Sequence, residues 1–262
     1  MEPAALEFIE HTASFDSSEY TQAQLILDTN VAAEIYSIGD VLRELEKIGL
    51  RGSLQSPRFN YRRHRAKHSI LLAWSLSRSR IPAAFLGAEQ INVVVGELAP
   101  LDGSLSFRMT KAFVHIIQEL VLGSWVLGSL AEVDYYKLQG DADNEILRIA
   151  KTDATPVITW EGYREDGSLS LKQGSLRNRC ASAGVAVFTP EEWLIQNGVN
   201  IEVEALAFIK ACDDASWTAQ WENVRQGRRD VDLLISFYRL ILFGDIEEFA
   251  RALRLDYMRL SS

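Results

Sequence analysis

The sequence predicts an α/β protein of three layers, α/β/α, with a central, mostly parallel sheet and a helical C-terminal extension. Short apolar runs ending in a polar residue alternate with segments of helical periodicity between residues 24 and 198, the pattern of a sheet buried on both faces. After Gly198 the short runs stop, and long helical patterns carry the chain to its end. A chain of 262 residues, 47% apolar and 24% charged, is large enough to bury such a core. The expected organisation is an N-terminal segment (1–23), an α/β domain with helical insertions (24–198) and a helical extension (199–262).

Taken in order, Gln24–Leu27 is a short apolar run ending at Asp28 and reads as a buried strand. Asn30–Ile48 places apolar side chains at Val31, Ile35, Ile38, Val41, Leu42 and Leu45, a helix that Gly49 stops. Residues 50–60 carry Gly, Ser and Pro and read as a loop. Tyr61–Ser79 reads as a helix with a basic side and an apolar side. Ile81–Leu86 is a strand and Ser106–Leu130 a long apolar helix. Asp141–Lys151 is a helix that starts with acids, and Pro156–Thr159 a strand leading into Trp160-Glu161. Leu171–Ala183, Val185–Phe188 and Pro190–Gln196 follow as helix, strand and helix, the last with proline in its first turn. Glu202–Trp221 and Val231–Leu253 complete the chain as helices.

Composition excludes several classes. Six Trp, eight Tyr and eleven Phe rule out disorder over most of the chain. Two cysteines, Cys180 and Cys212, leave no disulfide framework and no Cys-rich zinc site. The first twenty residues carry Glu2, Glu7, Glu10 and Asp16 without Lys or Arg, the wrong charge for a signal or transit peptide. Phe113–Leu130 is interrupted by His115, Gln118 and Glu119 and reads as a core helix, not a membrane span. The expectation is a cytoplasmic protein with no membrane partner.

The net charge of −9 argues against nucleic acid, but its distribution is uneven. Residues 51–80 hold eight of the 27 basic residues (Arg51, Arg58, Arg62, Arg63, Arg65, Lys67, Arg78 and Arg80) and no Asp or Glu. A basic window on an acidic body focuses positive potential as a phosphate-backbone binder requires. Arg58, Arg62, Arg63, Arg65 and Lys67 are therefore candidate nucleic-acid contacts, with Phe59 and Tyr61 available to stack on bases or to pin the segment to the core. The ordinary alternative is a solvated helix face.

The candidate chemistry lies in acids at strand ends and helix starts: Asp28, Glu89, Asp143 and Glu161, with Asp141 beside Asp143. In an open parallel sheet the carboxyl ends of the strands share one edge, where ligands bind. Carboxylates gathered there repel one another and stay ionised if a divalent cation neutralises them. Oxygen ligands without His or Cys select Mg²⁺ or Mn²⁺. Taken singly, each acid has a plainer role: Asp28, Asp143 or Asp141 as a helix N-cap, Glu89 and Glu161 as surface carboxylates.

In sequence, Leu25-Ile26-Leu27-Asp28-Thr29-Asn30-Val31 resembles the opening motif of the PIN-domain nucleases. Asp143 with Ile146 and Ala150 resembles that family's later helix start, and Pro156–Glu161 its next strand, which usually ends Thr-x-Asp. Ala183–Pro190 resembles its last strand and turn. The resemblance spans residues 24–196 and implies a Mg²⁺- or Mn²⁺-dependent endoribonuclease acting on single-stranded or structured RNA. Asp28, Asp143 and Glu161 match its acidic positions, Glu89 stands for its second acid, and Asn30 and Thr159 match the polar residues that orient them. Glu161 replaces the usual Asp, so a longer arm must reach the metal from further back. Extra length at 50–80, 100–140 and 199–262 departs from the small toxin nucleases.

Two other readings compete. A non-catalytic PIN-like module would bind RNA or protein through the same sheet edge. A small-molecule phosphohydrolase would leave the basic window without a role. The C-terminal helices offer a surface for a second copy or a protein partner. Gly123–Ser129 has phosphate-loop glycine spacing without the lysine and reads as packing. His115 reads as a core histidine, and Trp217 with Trp221 as core or partner packing. His64 and His68, four residues apart, lack a third ligand in sequence and are assigned to the basic face.

Overall fold

The computed structural model describes residues 23–36, 41, 56–87, 136–137, 141–162, 174–218 and 225–260. Its elements are β1 (Leu25–Asp28), α1 (Thr29–Tyr36), α2 (Pro57–Ser79), β2 (Ala83–Gly87), β3 (Tyr136–Lys137), α3 (Ala142–Asp153), β4 (Val157–Ile158), α4 (Leu176–Ser182), β5 (Val187–Phe188), α5 (Pro190–Gln196), α6 (Ile201–Thr218), α7 (Arg225–Phe243) and α8 (Ile246–Leu260). Glu89, His115, the Ser106–Leu130 helix, Gly123–Ser129, Trp221 and the N-terminal segment through residue 22 lie outside the described residues.

The strands form one sheet in the order β3-β2-β1-β4-β5, and every pairing is parallel. The chain lays β1, β2 and β3 outward on one side, then returns to set β4 against β1 and β5 beyond it. Strand order thus reverses between β1 and β4, the point at which an open α/β sheet leaves a crevice at its carboxyl edge.

Alternation along the strands divides the core in two. Leu25 and Leu27 of β1, with Ala83 and Phe85 of β2, face a cluster built with α1, α2 and α6–α8. Ile26, Ala84, Leu86 and Val157 face the opposite cluster, built with α3 and α4 around Ile146, Ile149, Leu176 and Cys180. Helices therefore cover both faces, as the alternating pattern predicts. The helices after residue 198 belong to the first cluster: Phe208, Tyr238 and Phe249 share it with Leu27 and Ile70.

Three of the boundaries that differ from the sequence reading are informative. Helix α2 starts at Pro57 inside the expected loop, because the Ser56 hydroxyl accepts from the Phe59 N–H at 3.4 Å and Pro57 suits the first turn. It is also not simply two-sided: from His68 to Leu72, and again at Ala73 and Ser75–Ser77, it is buried all round, because α1, α5, α6 and α7 surround it. The helix expected from Leu171 starts at Leu176 behind the N-cap Ser175. The single helix expected over Val231–Leu253 is two, broken at Gly244, whose φ of +79° suits glycine. Asp245 then caps α8, accepting from the Glu248 N–H at 3.0 Å.

Candidate active site

Asp28 ends β1 at the crevice between β1 and β4, only 8% exposed. Its Oδ2 accepts from the Thr159 hydroxyl at 2.8 Å and from Asn30 Nδ2 at 2.5 Å. Asn30 Nδ2 also lies 3.0 Å from Thr159 Oγ1, and Asn30 Oδ1 accepts from the Trp160 N–H at 3.0 Å. The first turn of α1 is thereby laced to the residues leaving β4. Both residues predicted to orient Asp28 stand against it.

Burial pushes the Asp28 carboxyl up from 3.8 to about 7. The Thr159 hydroxyl pulls it back, while the charges of Glu161 and Asp143 push it further up. Cys180, on α4, senses the same group. Burial raises its thiol to about 11, Arg179 opposes, and Asp143, Asp28 and Glu161 add to the rise. Asp28, Asp143, Glu161 and Cys180, far apart in sequence, are thus electrostatically coupled.

Asp143 lies in the first turn of α3, and burial raises its carboxyl while Arg179 lowers it. Arg179 Nη1 sits 3.5 Å from Asp143 Oδ2 and 3.8 Å from Asp141 Oδ1, and its other terminal nitrogen donates to Asn144. Asp141 is the N-cap of α3, accepting from the Asn144 N–H at 3.3 Å. It is exposed and occupied with capping, the plainer of the roles open to it. Glu161 is half-buried; its Oε2 accepts from the Leu176 N–H at 2.6 Å, joining the crevice to the start of α4.

Arg62, Arg63 and Arg65 of α2 are engaged inward. Arg62 and Arg65 both reach Glu34 Oε1, at 3.3 and 2.9 Å, and the Glu34 side chain is only 4% exposed. Arg63 Nη1 donates to the Ile241 carbonyl at 3.3 Å, bracing α2 against α7. Arg65 stacks over Tyr61 and Trp160. Arg58 is exposed and Lys67 half-buried. Three of the five expected phosphate contacts therefore hold the protein to itself, and Glu34, in a segment read only for its apolar residues, is the partner that pattern reading missed.

Among the described residues, the structure brings the ligand atoms of one histidine–carboxylate group, His64, His68 and Glu191, within 4.8 Å of one another. Sequence reading missed it because Glu191 lies more than 120 residues from the histidines. Only the i, i+4 histidine pair hinted at it.

No protein-family model, curated protein or solved structure matches the chain. The class rests on the fold and site: an α/β protein with a parallel sheet, in which buried Asp28 at the β1 carboxyl end is coupled electrostatically to Glu161 and Asp143. Asp28, Asp143 and Glu161 are not drawn together within 4.8 Å as the histidine–carboxylate group is, so what suits the edge to a hard divalent cation is its donor chemistry and charge. The donors are all oxygens, and the charges acting on buried Asp28 are both negative. No described helix is long and apolar enough to cross a membrane.

Proposed function

We propose that the chain is a PIN-like, Mg²⁺- or Mn²⁺-dependent nuclease that hydrolyses RNA phosphodiester bonds. The observation that supports this reading is the electrostatic coupling of Asp28 to Glu161 and Asp143 near the β1–β4 crevice, with Asn30 and Thr159 hydrogen-bonded to Asp28. Asp28, Asp143 and Glu161 would hold the cation, which supplies charge neutralisation and Lewis-acid activation of water and phosphate when bound. The Thr159 hydroxyl and Asn30 Nδ2 fix Asp28 Oδ2, and the Asn30 backbone N–H also donates to the carboxylate. The Leu176 N–H holds Glu161 in place, and Arg179 offsets the Asp143 charge.

Arg179 also favours a second reading. A guanidinium beside Asp143 stands where a cation would be needed, as expected of a module that binds partners without cleaving them. One experiment separates the two. The purified chain is incubated with a fluorescently labelled RNA in EDTA, Mg²⁺ or Mn²⁺, alongside Asp28→Asn. Metal-dependent cleavage lost in the variant supports the nuclease. Cleavage unchanged in the variant, or none in the wild type at millimolar Mn²⁺, overturns it.

A further inference from the structure

We propose that His64, His68 and Glu191 form a zinc-type metal site that clamps α2 to the start of α5, separate from the acid edge. His64 and His68 lie one helical turn apart on α2, with ring centroids 4.3 Å apart. Glu191, in the first turn of α5, places its two carboxylate oxygens 3.1 Å from His64 Nε2 and 3.6 Å from His68 Nε2. Zinc–ligand bonds of about 2.0–2.1 Å in tetrahedral geometry separate neighbouring ligand atoms by about 3.3 Å. The two contacts to Glu191 lie near that spacing but go to its two different oxygens; with one ligand atom taken from each residue, the trio fits within 4.8 Å. Gathering the three on one ion requires the half-exposed His64 ring to turn toward the other two.

The tautomer of His68 suits the role. Its Nδ1 lies 2.8 Å from the His64 carbonyl oxygen. A carbonyl only accepts, so Nδ1 carries the hydrogen and Nε2 keeps its lone pair toward Glu191. A ligand histidine whose other nitrogen donates to a backbone carbonyl is a recurrent arrangement in metal sites. Two imidazoles and one carboxylate favour Zn²⁺ over the hard cations that suit the acid edge.

The site is a clamp and not a peptidase centre. A metalloprotease places a glutamate base immediately after its first histidine; here Arg65 stands there, tied to Glu34 at 2.9 Å. The clamp lies beside the acid edge, since the His64 ring packs edge-on against Trp160 at 5.9 Å. Trp160 separates Thr159 from Glu161, and its Nε1 donates to Ser69 on α2 at 2.8 Å. Bound zinc would hold α5, α2 and this loop together.

The test uses the metal-stripped full chain in equilibrium dialysis against Zn²⁺, with His64→Ala, Glu191→Ala and Asp28→Asn alongside. His64 and Glu191 are 43% and 39% exposed in their side chains, so both alanine variants keep the core intact. Thermal melts without zinc check that. The expected result is one zinc per chain at micromolar or tighter affinity in wild type and Asp28→Asn. Both alanine variants should lose more than the roughly 10–100-fold that removal of an outer-shell partner costs. Zinc should also protect the exposed His64 of the wild type from diethyl pyrocarbonate, a readout that needs no variant. Binding weaker than millimolar in the wild type overturns the proposal and leaves a plain histidine–glutamate ion pair. Binding retained in both alanine variants, or lost only in Asp28→Asn, overturns it by placing the metal elsewhere.

Discussion

Replacing Asp28 with Asn should stabilise the metal-free protein at neutral and alkaline pH. The carboxyl is held near 7 in the folded chain against an ordinary value of 3.8, chiefly by burial. At about 1.4 kcal/mol per pH unit, that difference costs the folded state about 4 kcal/mol once Asp28 is ionised. The sign follows from proton binding. Between pH 4 and 7 the folded chain holds this proton more tightly than the unfolded chain, so the Asp28 contribution to stability falls as pH rises and levels off above 7. About 3 kcal/mol of the fall lies between pH 5 and 8. Asn cannot ionise, and its carbonyl oxygen can still accept from Thr159 and Asn30.

The assay is urea denaturation of both proteins at pH 5 and pH 8 in EDTA, then at pH 8 with Mn²⁺. His68, which burial holds down to about 3, acts in the opposite sense, because the unfolded chain binds its proton first and stability rises with pH. That contribution is common to both proteins and cancels in their difference. The variant should be the more stable at pH 8 by about 3–4 kcal/mol, and the gap should narrow at pH 5. If Asp28, with its neighbours, holds a cation, Mn²⁺ at 100 times its dissociation constant should return about 2.7 kcal/mol to the wild type and little to the variant. A difference between the two proteins that does not change from pH 5 to pH 8 would refute the reasoning.

Gly87→Ala should cost roughly 3 kcal/mol or more in denaturation, at or above the top of the overpacking range. Its new Cβ would stand 1.3 Å from Thr29 Oγ1 and 2.6 Å from Thr29 Cβ, so rotating Thr29 cannot relieve the clash. Gly244→Ala, at φ +79° with Arg63 Nη1 3.3 Å from the new Cβ, should cost about 1–2 kcal/mol by the same measurement. Glu34→Ala should cost about 3 kcal/mol by leaving Arg62 and Arg65 without their shared carboxylate; a loss below about 1 kcal/mol would mean that the pairs are solvent-screened.

The parallel sheet was legible because it depends on local pattern, whereas the Asp28–Asn30–Thr159 contact, across about 130 residues, was expected only from the PIN resemblance. Apolar runs of four or five residues mark β1 and β2, and a polar residue at the strand end marks the edge. What remained hidden depends on partners distant in sequence. The window at 51–80 contains no acid, yet Glu34 reaches it from α1 and the Ile241 carbonyl from α7. Charge counting within a window cannot see either. The burial of α2 on all sides likewise requires α6 and α7, which periodicity shows only as a separate tail. The break at Gly244-Asp245 was readable in principle, since a glycine followed by a capping residue is both a stop and a start signal. A continuous apolar period on either side of it concealed the turn.

The Glu at 161, where the resemblance leads one to expect Asp, has a structural use that sets up a last prediction. Its carboxylate reaches the Leu176 N–H at 2.6 Å, which an Asp, one methylene shorter, would not reach from the same backbone position. The backbone cannot follow, because the Glu161 N–H donates to Thr159 Oγ1 at 2.9 Å and Trp160 is held by Asn30 and Ser69. Glu161→Asp should therefore break the tie to α4 and cost about 1.5–3 kcal/mol, as for a hydrogen bond to a charged acceptor. Amide exchange at Leu176 should accelerate accordingly. The freed carboxylate would remain at the crevice, so Mn²⁺ affinity should hold or increase if the acid edge binds metal. Unchanged exchange at Leu176 would mean that the contact does not persist in solution, and lost Mn²⁺ affinity would show that the cation needs the longer Glu arm, not the shorter Asp.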